Sequence, residues 1–315
     1  MKRLSSVQVV VTCWNDLDKI EKCLRSIFNQ DYPKFKVFIV DDGSTDGTVD
    51  YIQKNFPKAK IFVLKKGPSQ NRNIALKKDK SEFVITMDSD AILISKNWIS
   101  RVVKFMQDNS RIGMLGGKLL LNDSTINSAG GIMSLRGNGF DRGHGDSRNN
   151  KEYDSQKEVI YVSTATSVLR RKMLEEIGLF DEDYGHGFED ADLGLRANIS
   201  GWKVLYNPTL ESYHLADYRK GEKARLNPNI NYYLKKNKIS TLFKNYQKST
   251  LIRFLPLYIL NFIYNLLFQK YRLSTLSAYL WNWKNKEILM KKRRFIQERR
   301  KVPDKVIFKS IYFRI

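Results

Sequence analysis

Three acidic groupings and one histidine have the residue types and spacing to do chemistry. Asp41-Asp42-Gly43-Ser44 directly follows the apolar run Val37-Phe38-Ile39-Val40. A carboxylate at such a strand end can accept hydrogen bonds from a uracil or thymine ring or a ribose, and Gly43 lets the backbone approach a ligand closely. Asp88-Ser89-Asp90 closes a second apolar run, 83–87. Two hard carboxylates at i and i+2 reach one site, and a magnesium-type cation takes only one or two of them, completing its shell with phosphate oxygens and water. Glu189-Asp190-Ala191-Asp192 enters a helix after the flexible approach Gly185-His186-Gly187-Phe188. A carboxylate there can lie under an acceptor hydroxyl and take its proton. His214 is a candidate further metal ligand. Together these supply what transfer from a nucleotide diphosphate requires: a base pocket, a diphosphate clamp and a general base. Each pattern also has a plain structural reading, respectively a strand-to-helix turn, a solvated turn, a complement to the helix dipole and a hydrogen-bonded histidine.

The elements that must position these residues alternate along the chain. Val7-Gln8-Val9-Val10-Val11 is a β-branched run, and Ile20, Leu24, Ile27 and Phe28 follow at helical spacing. Strands are predicted over 35–40, 60–64 and 82–87, with helices around 49–56 and 68–79 between them. Four β units separated by helices imply an α/β fold with a doubly wound, mostly parallel sheet, and ligands are expected at the carboxyl ends of its strands. Further on, the pattern predicts helices over 98–106 and 171–177 and strands over 113–121, 159–162 and 203–206. Residues 122–158, rich in Gly, Asn, Asp and Ser, read as a long functional or mobile loop.

Charge divides the chain. Residues 1–215 carry 31 Lys and Arg against 28 Asp and Glu, whereas residues 216–315 carry 24 against 5, so the tail holds most of the +22 formal charge. The expectation is a catalytic domain over 1–218 and a basic helical region over 219–315 that faces an anionic surface. Within the tail, 251–268 is nearly continuous apolar sequence, marginal for the roughly 20 residues of a membrane span. It reads as a segment lying in the membrane interface, with an apolar helix docked on the domain as the alternative. Lys291-Lys292-Arg293-Arg294 and Arg299-Arg300-Lys301 are expected to meet lipid headgroups. The aromatic residues around 254–268 lie in an apolar run instead of alternating with cations, which argues against nucleic acid. Mean hydropathy of −0.45 excludes a polytopic membrane protein. Only Cys13 and Cys23 are present, and the Met1-Lys2-Arg3 start lacks a following secretory apolar run; the expected setting is reducing, at the cytoplasmic face of a membrane, peripheral or monotopic.

In this order the pieces resemble family-2 glycosyltransferases of the GT-A fold: Val11-Thr12-Cys13-Trp14-Asn15, Gln30-Asp31-Tyr32-Pro33, Asp41-Asp42-Gly43-Ser44, Arg72-Asn73, Asp88-Ser89-Asp90, Phe180-Asp181-Glu182, Glu189-Asp190-Ala191-Asp192-Leu193 and Tyr213-His214. The resemblance covers about residues 5–215. It implies that Thr12, Asp42, Arg72 and Asp88 bind the donor nucleotide, that Asp88, Asp90 and His214 hold a divalent cation, Mg²⁺ or Mn²⁺, and that Asp190 is the catalytic base of an inverting transfer. The implied partners are a nucleotide-diphosphate sugar and a saccharide or lipid-linked saccharide, in cell-surface polysaccharide synthesis. The 180–182 and 189–193 segments are similar to rhamnosyltransferase-like bacterial members. Other classes compatible with the composition are a non-catalytic membrane-surface adaptor and a nucleotidyltransferase, although 11–16 offers no glycine- and lysine-rich phosphate loop.

Overall fold

The computed structural model describes residues 4–215 and 227–308. Met1–Arg3 and the expected boundary at 218/219 lie outside the described residues. Strands β1 (Val7–Cys13), β2 (Phe35–Asp41), β3 (Lys60–Val63) and β4 (Phe83–Asp88) alternate with helices α1 (Ile20–Phe28), α2 (Thr48–Asn55) and α3 (Pro68–Lys78). Because strand side chains alternate between faces, Val9, Val11 and Ile39 enter one core with Ile20, Cys23, Leu24 and Ile27 of α1. Val10, Phe38 and Val40 enter the opposite core with Ala75 and Leu76 of α3. The sheet thus has a helical layer on each face.

The chain continues through β5 (Ala91–Leu93), α4 (Trp98–Asp108), β6 (Ile112–Leu120), β7 (Ile126–Ser128), β8 (Gly131–Met133), β9 (Gly139–Asp141), β10 (Lys157–Glu158), β11 (Thr166–Arg170), α5 (Arg171–Ile177), α6 (Glu189–Ile199) and β12 (Lys203–His214). The sheet order is β10-β12-β6-β11-β4-β1-β2-β3. Parallel pairing joins β3, β2, β1 and β4, and also β6 and β12, while β11 runs antiparallel between β4 and β6. This is the GT-A type α/β architecture expected. The chain winds from β1 out to β3, then returns to place β4 on the other side of β1. That reversal opens a crevice at the carboxyl ends of β1 and β4, the position where open α/β sheets take ligands.

Two local expectations are corrected. Residues 122–158 are not an irregular loop: they form β7, the β8–β9 hairpin, a 3₁₀ turn over Lys151–Tyr153 and β10. Residues 159–162 are not a strand; only Tyr161 bridges, to Gly131, because α6 lies against this stretch. A Cβ on Gly194 of α6 would stand 2.3 Å from the Ile160 carbonyl oxygen, so only glycine permits the approach.

The C-terminal region is helical: α7 (Pro228–Asn245), α8 (Lys248–Phe268), α9 (Arg272–Lys284), α10 (Lys286–Glu298) and α11 (Asp304–Ile307). Helix α7 packs against α6 and carries α9 and α10 on its other sides. The expectation that the basic tail faces outward is corrected here in part. The Lys244 ammonium is buried with Asp181 and Asp192, and Lys292 pairs with Asp181 and Asp183. Arg293 donates to the carbonyls of Phe243 and Tyr246, Arg299 to that of Glu176, and Arg300 to Asp304. These cations neutralise carboxylates and cap helix ends that the apolar contacts bring indoors. Lys291 and Arg294 remain exposed. Helix α8 differs: of its residues only Asn265 is buried, which disfavours the docked-helix alternative.

Candidate functional site

Thr12 and Asp88 face each other in register at the carboxyl ends of β1 and β4. The Thr12 hydroxyl donates to Asp88 Oδ1 at 3.0 Å, and Arg72 Nη2 donates to the same oxygen at 2.8 Å. Arg72 projects from α3 and is only 3% exposed. Its other terminal nitrogen, Nη1, reaches Glu189 Oε1 at 3.4 Å, across from the carboxyl end of β4 to the first turn of α6. One guanidinium therefore joins the second acidic grouping to the third. Burial opposes the charge on Arg72, but Asp88 and Glu189, with Asp190, more than restore it and hold its pKa above the ordinary arginine value.

The two aspartates of the first grouping have different fates. Asp41 is fully buried and accepts from the amides of Gly43 and Ser44 and from the Ser44 hydroxyl, so it builds the turn and is no ligand. Gly43 makes that turn with φ +86°. Asp42 Oδ1 accepts from the amides of Lys66 and Gly67 and from Asn71, fixing the loop before α3 at the crevice wall.

Asp88, Asp90 and His214 each offer a ligand atom, and these atoms lie within 4.8 Å of one another. The topology explains how distant residues meet. β5, immediately after Asp90, pairs antiparallel with the end of β12, and this puts His214 opposite Ala91. His214 Nε2 stands 3.3 Å from Asp90 Oδ1 and 3.9 Å from Asp88 Oδ2. Its Nδ1 donates to Asn127 Oδ1 at 2.9 Å, which fixes the tautomer and leaves Nε2 for a cation. Burial alone would favour neutral imidazole, but the hydrogen bond and charge of Asp90, then Asp88 and Asp141, raise the His214 pKa. Burial likewise raises the Asp90 carboxyl, yet His214 and Lys19 bring it below the usual range. The donor set of two carboxylates and one oriented imidazole nitrogen fits a divalent cation.

Asp190 is half-buried in the first turn of α6, entered through Gly187 and Phe188, both at positive φ. Phe188 at φ +69° is a strained non-glycine N-cap, a feature found at functional sites. Burial, with Glu189 and Asp141 nearby, raises the Asp190 carboxyl well above the ordinary carboxylate range. Helix α7 holds the approach: Asn237 Nδ2 donates to the carbonyls of His186 and Gly187 at 2.9 and 2.8 Å. The structure thus brings Thr12, Arg72, Asp88, Asp90, His214 and Asp190 around one crevice, with Asp42 on its wall. The sequence reading missed Glu189, Asn127 and Asn237. Glu189 could be suspected from its place beside Asp190; Asn127 and Asn237 carry no pattern of their own.

This fold and crevice define an open α/β protein with two carboxylates and an imidazole clustered at the sheet's carboxyl edge and the half-buried Asp190 nearby. Residues 5–228 match the model described as "Glycosyltransferase like family 2", and the chain belongs to that family. It is 25% identical over 226 residues to the poly(ribitol-phosphate) β-N-acetylglucosaminyltransferase TarS of Staphylococcus aureus, an alignment covering 68% of this chain and 36% of TarS. It is also 25% identical to an uncharacterized glycosyltransferase of Haemophilus influenzae, covering 75% of this chain and 76% of that protein. The chain thus spans little more than a third of TarS, and 16% of the O-antigen biosynthesis protein RfbC of Myxococcus xanthus. Among solved structures, the mannosyltransferase PcManGT of Pyrobaculum calidifontis, in complex with GDP-Man and Mn²⁺, superposes with a TM-score of 0.55 at 17% identity, covering 95% of this chain and 86% of that one. S. aureus TarS gives 0.56 at 19% identity, covering 93% and 55%. At these identities the structures bear on the fold alone.

Proposed function

We propose that this chain is a cation-dependent, inverting glycosyltransferase that moves a hexosyl group from a nucleotide-diphosphate sugar to a hydroxyl of a saccharide or lipid-linked saccharide, in cell-surface polysaccharide synthesis. The observation that carries the reading is the buried Arg72, whose guanidinium ties Asp88 of the metal grouping to Glu189 beside Asp190. Two acidic groupings far apart in sequence therefore meet at one guanidinium, and Asp42 bonds to Asn71, the residue before Arg72.

Thr12 and Asp42 face the nucleobase and ribose, Asp42 through the carboxylate oxygen not committed to the α3 loop. Arg72 acts on the nucleotide side by holding Asp88. Asp88, Asp90 and His214 are the residues that would hold the cation, which when bound neutralises charge growing on the departing diphosphate. The imidazole among the donors favours Mn²⁺ over oxygen-preferring Mg²⁺, and PcManGT was solved with Mn²⁺. Asp190 accepts the acceptor's proton as that oxygen bonds to the anomeric carbon and the bond to the diphosphate oxygen breaks on the opposite face. Its raised pKa makes it a stronger base than a solvated aspartate.

The rhamnosyltransferase-like branch is suggested by Phe180-Asp181-Glu182 and Glu189-Asp190-Ala191-Asp192-Leu193, of which Asp181 and Asp192 are occupied by Lys244. Those positions serve the scaffold, so a 6-deoxyhexose is one donor to assay beside N-acetylhexosamines and hexoses. We further place the enzyme at the cytoplasmic face of the membrane, with residues 1–218 catalytic and 219–315 membrane-associating. Helix α8 supports this: it is 21 residues long with hydropathy 1.6 and lies 6% buried.

The test is Asp190→Asn. It removes the base and keeps the shape, so transfer should be lost while Mn²⁺-dependent nucleotide binding stays within about threefold, less than 1 kcal/mol. Normal turnover by the folded variant would sink the assignment.

A further inference from the structure

The β8–β9 hairpin runs from the catalytic crevice to the C-terminal helices, and a second cavity lies where it arrives. The hairpin turn is latched there. Tyr246 and Tyr258 donate to the carbonyls of Ser134 and Leu135 at 2.9 and 2.8 Å, and a Cβ on Gly137 would stand 2.7 Å from Leu242. Between this turn, α7 and α8 is a cleft of about 450 Å³. Its floor is apolar, with Ile239, Leu257 and Leu260 among its walls, and its rim carries Arg136, Lys235 and Lys238. Lys238 donates to Asn138 Oδ1 at 2.5 Å and Lys235 to Asn265 Oδ1 at 2.7 Å, both neutral partners. Among the described residues no carboxylate pairs with any of the three cations. This contrasts with Lys244, six residues after Lys238 on the same helix, and with Lys292 of α10, which are matched by aspartates.

We propose that this cleft binds the phosphate and first chain segment of a lipid phosphate that carries the acceptor saccharide, an inference that rests on the glycosyltransferase reading and gives its acceptor a chemical class and a place. Three uncompensated cations at one rim call for an anion with more than one charge, and phosphate oxygens supply it. The same cations already repel one another: burial, then Lys235 and Arg136, pull the Lys238 ammonium down to about 8. An anion among them would relieve that. The apolar floor is continuous with exposed side chains of α8, including Leu260, Leu267 and Phe268, so a chain longer than the cleft can leave along a surface suited to a bilayer interior. At the other end of the hairpin, Asp141 lies close enough to Asp190 and His214 to act on the charge of both. From Asn138 at the turn to Asp141 the strand rises about 10 Å. A phosphate at the turn would therefore deliver a short saccharide to the base.

The experiment uses the full chain in neutral detergent micelles with farnesyl phosphate, farnesol and inorganic phosphate as probes, read by thermal stabilisation, with Mn²⁺-dependent nucleoside diphosphate binding measured in parallel. Farnesyl phosphate is expected to bind at least tenfold more tightly than either of the others. Arg136→Glu, at an exposed position that does not threaten folding, and the double variant Lys235→Gln/Lys238→Gln should each weaken it tenfold or more and leave nucleotide binding unchanged. Equal binding of farnesol would make the cleft a mere apolar patch, and equal binding of inorganic phosphate a free-anion site; either overturns the proposal, as does full retention of affinity in both variants. Failure of the glycosyltransferase reading shows separately, as absence of nucleotide binding in the wild type.

Discussion

The tail's inward-facing charges give a sharp quantitative expectation. Lys244 is 1% exposed, its ammonium in contact with Asp181 and 3.0 Å from Asp192, whose side chain is fully buried. Replacing it by methionine keeps the volume and strands two carboxylates indoors, a change that costs about 3–5 kcal/mol when no other partner is present. Here Lys292 still pairs with Asp181, and Arg196 Nε and Asn245 still hold Asp192 at 2.9 and 2.8 Å. The lower end, about 3 kcal/mol, is therefore expected for Lys244→Met. With an unfolding entropy near 2.1 cal/mol/K per residue over the 315 residues, that is a fall in Tm of about 5 °C. Adding Asp192→Asn should recover part of it, since the partner left behind is then neutral. Lys291→Met, at an exposed position of the same basic tail, should move Tm by less than about 1 °C. The sign with pH follows from Asp181: burial opposes its charge, but Lys244 and Lys292 depress its pKa well below the ordinary value. A depressed carboxylate contributes stability above its unfolded pKa, near 3.9, and loses it as pH falls through the folded value. The gap between wild type and Lys244→Met should then narrow as pH falls, because the carboxylates left without Lys244 take up protons at a higher pH than the same groups in the wild type. Scanning calorimetry at several pH values checks all of this, and equal Tm losses for Lys244→Met and Lys291→Met would refute an inward-facing tail.

Asn127→Ala should weaken Mn²⁺ binding about 10- to 100-fold by releasing the His214 ring, measured by calorimetric titration with nucleoside diphosphate present; an unchanged affinity removes Asn127 from the site. Because a bound cation must displace the proton that Asp90 and Asp88 favour on His214, Mn²⁺ affinity should fall as pH drops through that raised pKa, with proton release on binding. Flat affinity between about pH 5 and about pH 8 would remove His214 from the ligand set. The acid limb of the kcat/KM profile should lie above the ordinary carboxylate range, since Asp190 must be ionised to act and its pKa is raised. Leu260→Asp with Leu267→Asp, both 61% exposed on α8, should abolish flotation with anionic vesicles and leave Tm nearly unchanged; retained flotation would remove α8 as the membrane contact.

How far the site was legible follows from which interactions are local. Strand-end aspartates can be read from sequence because an apolar run fixes where β4 stops, and Asp88 must then stand at the sheet's carboxyl edge beside Thr12. Which of Asp41 and Asp42 faces a ligand is not legible, since it depends on the amides of Gly43 and Ser44 turning back on Asp41. The polar segment 122–158 defeats periodicity because its strands are two or three residues long. Their order comes from long-range partners such as Tyr246 and Tyr258, and so Asn127 and Asp141 stayed invisible. Net charge misled about the tail for a related reason: a count cannot tell Lys244, held by buried aspartates, from Lys291, which is exposed.

The inward cations also explain why catalytic and C-terminal regions form one unit. Asp190 sits on a helix whose next carboxylate, Asp192, is tied to α7 through Lys244 and Asn245, and whose approach loop is held by Asn237 of the same helix. Helix α7 in turn forms the wall of the cationic cleft and packs on α9. A load on α8 or α9, such as insertion in a bilayer, is therefore only one helix away from the residue proposed to take the acceptor's proton. The consequence is testable with Asn237→Ala. Its loss frees the carbonyls of His186 and Gly187 and so relaxes Phe188 from its strained φ, removing the constraint that aims Asp190. The expected result is a fall of at least tenfold in kcat with nucleotide affinity unchanged, because Asn237 bonds to the loop before Asp190 and not to Thr12, Asp42, Arg72 or Asp88. A parallel loss of nucleotide binding would show that Asn237 supports the fold as a whole and has no separate part in placing the base.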